Sequence, residues 1–319
     1  MRALGKLLAF AMLNILAGAV CAQPYPSKPL RILVHFPAAG ATDAVARILA
    51  QPLSTALGQP VIVENRPGAD GAIAGELVAK SPADGYTLLL ASQTAMLQVP
   101  LLRKSPPYDP QADFTPVGLV GQYVFVLVAT PALGLKSGAD LVRYARANPG
   151  RLNFGTYSSG GQLFLTQLKL SGLDLVQVPY KGEAPTIIDI LGGRTQLTIA
   201  TPTSSLQHIR AGKLQALAVL LPGRNPLLPE VPTTQEAGLP PLSVATWAAL
   251  FGPAGMPRET VTRLNRELNA AMARPEIREQ VDRQGFQLQG STPDELAAYV
   301  RSQLGAWGKA FNDAGMKPE

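Results

Sequence analysis

The sequence has 319 residues, 46% of them hydrophobic and 16% charged, which excludes a disordered chain and favours two domains with a large buried core. Its net charge is +6, from 28 basic and 22 acidic residues, and drops to +4 without Arg2 and Lys6, too small and too scattered for a nucleic-acid surface. One cysteine and two histidines leave no cluster of metal-ligand spacing and no H-E-x-x-H, so no metal and no cofactor are expected.

Residues 1–22 read as a cleavable signal peptide. Arg2 and Lys6 precede an apolar run over 7–20, and Val20-Cys21-Ala22 offers small residues at −3 and −1, with cleavage near Ala22 and Gln23 as the mature start. The run is too short to span a bilayer comfortably. Lipidation of Cys21 is the alternative, although Gly18-Ala19-Val20 lacks the Leu expected three positions earlier. Cys21 is the single cysteine and departs with the leader, so the mature chain has no disulfide and relies on its core, as suits a bacterial envelope compartment. No later stretch offers about 18 uninterrupted apolar residues.

The apolar run 30–35 predicts a strand, and Val45, Ile48, Leu49, Leu53, Ala56 and Leu57 predict a helix closed by Gly58 and kinked at Pro52. Between them lies FPAAGATD, residues 36–43. Such a small-residue bend is either a tight turn or a place where free N–H groups at a helix start meet an anion. Further strands are predicted over 61–64, 87–91, 124–130, 152–155, 173–179, 197–201, 214–220 and 247–251, alternating with helical patterns, as in mostly parallel sheets covered by helices. Proline-rich stretches at 105–110 and 222–226 bracket a middle section, suggesting one domain inserted in another with a cleft between them.

Gly155-Thr156-Tyr157-Ser158-Ser159-Gly160-Gly161 is a second bend between a strand and a helical pattern over 163–170. It lacks the G-x-S-x-G form of a nucleophile elbow, and neither bend carries a Walker lysine or G-x-G-x-x-G. His35, at a strand end beside the first bend, is read as structural, with ligand contact as the alternative; His208 sits near a helix C-terminus. Thr292-Pro293-Asp294-Glu295 has the form of a capping box, followed by the stripe Leu296, Tyr299, Val300, Leu304, Trp307 and Phe311. Two small-residue bends without catalytic side chains describe a clamp for an anionic small molecule.

The segments 25–30, 36–43, Val63-Glu64-Asn65-Arg66-Pro67-Gly68-Ala69, Asp84-Gly85-Tyr86-Thr87, Val178-Pro179-Tyr180-Lys181-Gly182, 208–213 and Leu250-Phe251-Gly252-Pro253 resemble the Bug family, the extracytoplasmic solute receptors of tripartite tricarboxylate transporters, in an order that covers essentially the whole mature chain. The resemblance implies a two-domain α/β periplasmic binding protein of type II, or Venus-flytrap, architecture. It further implies a monomeric, non-enzymatic receptor that binds a small carboxylated solute and delivers it to a membrane permease. Carried over residue by residue, it assigns the ligand to Phe36, Ala38, Ala39, Gly40, Ala41, Thr42 and Asp43 on one side. Thr156, Ser158, Ser159, Gly160 and Gly161 face them, with Ser92, Gln93 and Tyr180 as further candidates. The expected domains are 23–121 with 224–319, and 122–223. Three departures mark this chain: Ala39 and Ala41 in the first bend, Gln162 and Leu163 after the second, and Thr201-Pro202 where an acidic or amide residue is usual. A ligand-sensing receptor with a signalling partner remains an alternative, as does a cleft hydrolase or transferase, for which no nucleophile, base and orienter can be assembled.

Overall fold

The computed structural model describes residues 25–318 apart from 39, 222, 240–245 and 314, so the leader expected over 1–22 lies outside the described residues. The chain begins with β1 (Leu30–Val34), α1 (Ala41–Leu57), β2 (Val61–Asn65), α2 (Ala72–Ala79), β3 (Thr87–Ser92), α3 (Val99–Leu102) and β4 (Phe114–Tyr123). It continues through β5 (Val126–Ala129), α4 (Gly138–Ala147), β6 (Leu152–Thr156), α5 (Ser159–Leu170), β7 (Leu175–Pro179), α6 (Glu183–Leu191), β8 (Leu197–Ala200), α7 (Pro202–Arg210) and β9 (Gln215–Val219). It closes with β10 (Trp247–Pro253), α8 (Arg258–Met272), α9 (Pro275–Asp282), β11 (Phe286–Leu288) and α10 (Pro293–Asp313).

Two sheets result, ordered β11-β4-β10-β3-β1-β2 and β7-β6-β8-β5-β9. They are mixed, not mostly parallel. β1 pairs parallel with β2 and β3, and β6 with β7 and β8, whereas β10, β11 and β5 run antiparallel to their neighbours. Two of these, β5 and β10, stand at the crossings between the sheets, while β11 closes the edge of the first sheet. β4 leads into β5 through Val124 and Phe125 alone, and β10 is the first strand after the chain returns.

The near-continuous apolar strands predicted from sequence are buried on both faces, as helix-covered strands must be: every residue of β3, β5, β8 and β10 is buried. α1 runs through Pro52 as one helix and ends at Gly58 in the left-handed conformation. The capping box forms, with the Glu295 N–H donating to the Thr292 hydroxyl at 3.2 Å and the Thr292 N–H donating to Glu295 Oε2 at 2.8 Å. Below it Leu296, Val300, Trp307 and Phe311 are buried against the first sheet.

The proline-rich stretch 105–110 precedes β4, so it lies before the crossing and does not form it. The second stretch leads into a segment that stays on the second sheet. The Val219 N–H donates to Pro232 O at 2.8 Å and the Thr234 N–H to Val219 O at 3.2 Å. Leu228 and Val231 pack with Val126 and Val128, while Ala237 and Leu239 join the cluster around Phe154. The sequence reading ended the middle section at 223; these contacts attach 225–239 to the second sheet.

The halves also touch. Leu163 of α5 is 1% exposed and joins the core cluster built by Trp247, Leu296 and other residues of the first sheet and its helices. At a second point a Cβ on Gly285 would stand 2.9 Å from Cδ of Pro202, so the turn before β11 approaches the start of α7 closely.

Candidate functional site

Between the sheets lies a cavity of about 530 Å³, in the size range of small-molecule sites. The first half supplies Phe36, Pro37, Ala38, Gly40, Ala41 and Thr42 from the β1–α1 bend, Ser92, Gln93 and Thr94 after β3, Tyr123 at the end of β4, and Thr246 before β10. The second half supplies Phe125, then Tyr157, Ser158 and Gly160 from the β6–α5 bend, and Thr201 at the β8–α7 junction. Among the described residues no charged side chain lines it.

Three helices start at this wall. Gly40 caps α1 with no side-chain acceptor, so the N–H groups of its first turn lack a side-chain partner. Ser158 caps α5 and its hydroxyl accepts the Gly161 N–H at 3.2 Å. Thr201 caps α7, whose next residue, Pro202, has no N–H. Each start carries the positive end of a helix dipole, and the apolar wall strengthens the field it casts into the cavity. An anion is what such a wall attracts.

Local chemistry holds the first bend in place. The Asn65 amide donates to Phe36 O at 3.1 Å and to Asp43 Oδ1 at 3.0 Å, and Arg47 Nε donates to Asp43 Oδ1 at 3.0 Å. Asp43, 4% exposed, therefore points onto Asn65 and Arg47 and stabilises the start of α1 from behind. The Thr42 and Tyr123 hydroxyls share a hydrogen bond that ties α1 to β4 at the cavity wall. Burial outweighs the opposing hydrogen bond to Thr42 and keeps the Tyr123 phenol protonated well above its usual range.

His35 lies behind the same wall at 3% exposure, its ring packed at a tilt of 37° against Phe36 with centroids 4.0 Å apart. The Ser92 N–H donates to His35 Nε2 at 3.1 Å, so that nitrogen carries no proton and also accepts from the Ser92 hydroxyl at 2.9 Å. Gly71, at φ 96°, makes room for the ring: a Cβ there would stand 2.7 Å from Nδ1. Burial drives the His35 pKa down to about 4, so the ring is neutral.

The structure thus brings Phe36, Ala38, Gly40, Ala41, Thr42, Ser92, Gln93, Ser158 and Gly160 of the expected set to one cavity. Ala39 and the Ser159 side chain lie outside the described residues. Four expected residues stand away from the wall. Asp43 is held by Asn65 and Arg47. The Thr156 hydroxyl accepts from the Gln177 amide at 3.0 Å, and the Gly161 N–H is consumed by Ser158. The Tyr180 hydroxyl donates to Asp189 at 2.8 Å and contacts Thr195, inside the second half. Sequence reasoning missed Pro37, Thr94, Tyr123, Phe125, Tyr157, Thr201 and Thr246. Tyr157 sat inside the quoted second bend, and Tyr123 and Phe125 flank the crossing, where an aromatic pair was a usable signal. Thr246 offered none.

Two α/β halves flanking a cavity that, among the described residues, no charged side chain lines, with helix starts at its wall, define a solute-binding receptor of the two-domain type. The chain belongs to the tripartite tricarboxylate transporter family receptors, whose family model matches residues 45–316. It is 38% identical to BugT of Bordetella pertussis over 307 residues, covering 95% of this chain and 94% of that one. Among solved structures it is similar to R. palustris Rpa4515 with adipate (34% identity, TM-score 0.78, 92% of this chain and 100% of that chain). It is also similar to MatC from Rhodopseudomonas palustris with bound malate (29%, TM-score 0.72, 90% and 99%) and to the periplasmic binding protein BugD (33%, TM-score 0.74, 92% and 100%). The family is one of solute receptors and not of enzymes.

Proposed function

We propose that the protein is a periplasmic receptor that binds a small carboxylated solute in the inter-sheet cavity and delivers it to the permease of a tripartite tricarboxylate-type transporter. The observation that carries this reading is the convergence of the α1 and α5 starts, from opposite halves, on a cavity that no charged side chain lines among the described residues. A carboxylate there accepts N–H groups of both bends and the hydroxyls of Thr42 or Ser158, so that binding draws the halves together. Ser92, held by His35, and Gln93, whose amide oxygen accepts the Trp247 N–H at 3.1 Å, extend the polar set. Relatives solved with adipate and malate support a carboxylate ligand.

In this reading the leader is cleaved near Ala22 and the receptor works as a monomer. The first domain comprises 23 to about 123 and the segment from β10 onward, and the second runs from β5 through 239. Thermal melting with a broad panel of mono-, di- and tricarboxylates at millimolar concentration tests the ligand class. A saturable rise in Tm with some of them is expected, and no shift with any would overturn it. Uptake of the bound solute by a strain lacking the protein tests delivery; unchanged uptake would separate binding from transport.

A further inference from the structure

Glu183 opens α6, and its side chain reaches across to the start of α7. Its Oε1 accepts the Thr201 N–H and the Ser204 hydroxyl, and its Oε2 accepts the Thr201 hydroxyl at 3.0 Å. Thr201 lines the cavity, and so does Tyr157, whose buried phenol is raised well above its ordinary pKa by burial and then by the negative charge of Glu183. The protein has therefore placed its own anion at the third helix start. The start of α1 stays open, because Gly40 brings no side-chain acceptor.

We infer that the cavity takes monocarboxylates with an uncharged, apolar body and rejects dicarboxylates, because Glu183 holds the α7 helix start with the protein's own carboxylate. This rests on the reading that a ligand carboxylate enters at α1 and α5. A second ligand carboxylate reaching Thr201 would find its N–H already donated and a like charge directly behind it. Elsewhere the wall sets Phe36, Pro37, Tyr123, Phe125 and Tyr157 beside the uncharged Ser92, Gln93, Thr94 and Thr246, so among the described residues a second charged group would lose its hydration without meeting an opposite charge. An apolar body gains from the same surfaces. An ammonium gains only through-space attraction from Glu183 and no ion pair at contact, since Glu183 stands behind Thr201 and does not line the cavity, so the hydration it loses is not offset. The chain would thus differ from the relatives solved with adipate and malate, both dicarboxylates.

Calorimetry on two matched pairs tests this. Hexanoate and adipate share six carbons and differ by one carboxylate; 3-phenylpropanoate and phenylalanine share a skeleton and differ by one ammonium. The monoacid is expected to bind at least tenfold tighter in each pair. Glu183→Gln keeps an acceptor for Thr201 and removes the charge, so it should narrow the hexanoate–adipate gap at least threefold. Adipate binding as well as hexanoate, phenylalanine binding tighter than 3-phenylpropanoate, or an unchanged gap in a folded Glu183→Gln protein would each overturn the inference. Should that variant fail to fold, the two pairs on the unaltered protein decide alone. If some dicarboxylate of the broad panel binds and neither monoacid does, the inference fails while the carboxylate reading stands; if no carboxylate binds, that reading fails first.

Discussion

His35 Nε2 accepts the backbone N–H of Ser92 at 3.1 Å and lies 2.9 Å from its hydroxyl, which couples the end of β1 to the end of β3 directly behind the cavity wall. The bond requires a neutral ring, and burial supplies one by lowering the His35 pKa from 6.5 to about 4. An unfolded histidine takes up its proton near pH 6.5, whereas the folded one does not until near pH 4. Stability is therefore fully present above pH 6.5 and is lost as pH falls through that window, by about 3 kcal/mol in total. Urea unfolding at pH 7.5 and pH 4.5 should show this loss in the native sequence and little of it in His35→Gln. An equal pH dependence in both would place the acid sensitivity elsewhere.

Gly121→Ala should destabilise the first sheet by about 2–4 kcal/mol, through overpacking at a backbone contact. A Cβ there would stand 2.0 Å from the carbonyl oxygen of Gln287, on the paired strand β11. Chemical denaturation is the check, and a near-neutral result would mean that the β4–β11 pairing is loose.

That same strand shows where the sequence was hard to read. Nine of the eleven strands among the described residues follow apolar, β-branched runs that are visible without a structure. β4 does not, because Pro116, Gly118 and Gly121 punctuate it like a loop. The structure uses those residues: the register shifts within the β4–β10 pairing, and Gly118 leaves room for Asn265, whose amide donates to Val117 O and Ser291 O at 2.7 Å. β11 has only three residues, too few to show alternation. The two bends were legible because a strand, small residues and a helix follow one another in sequence. Glu183 was not, because its partners Thr201 and Ser204 are brought to it only by the packing of α6 against α7.

Leu163 makes the halves cooperate. It belongs to α5 yet is buried in the core cluster of the first half, so a hinge motion that parts the halves should expose it. Burying a leucine is worth about 1.5–3 kcal/mol, so Leu163→Ala should shift the balance toward the open form and weaken ligand binding by about tenfold or more. Small-angle scattering should show a larger radius for the ligand-free variant, returning to the native value at saturation. A lower Tm with an unchanged radius and affinity would mean that the contact persists in both forms.

Gly40 separates binding from folding more sharply than any other position. Its backbone is extended, with φ −83° and ψ 168°, and a Cβ would meet only Pro37 O at 3.6 Å, an ordinary van der Waals contact, so a Cβ is accommodated without strain. It is also the cap of α1, where aspartate is among the preferred residues because its carboxylate accepts first-turn N–H groups. Gly40→Asp should therefore do to α1 what the ligand does, with its own charge occupying the donors. The variant is expected to be more stable than the native protein by about 0.3–1 kcal/mol and to bind no carboxylate measurably. Gly40→Ala, with neither charge nor acceptor, should stay within a few-fold of native affinity. Opposite signs for stability and affinity are what a merely damaged fold cannot produce. On the ligand side, the carboxamide of the bound acid keeps the shape and loses the charge. Each charge-assisted hydrogen bond is worth about 1.5–3 kcal/mol, so the amide should bind at least tenfold more weakly. Calorimetry on acid and amide, beside melting curves of the two Gly40 variants, reads all of these; equal affinities, or full binding by a stable Gly40→Asp protein, would reduce FPAAGATD to a turn.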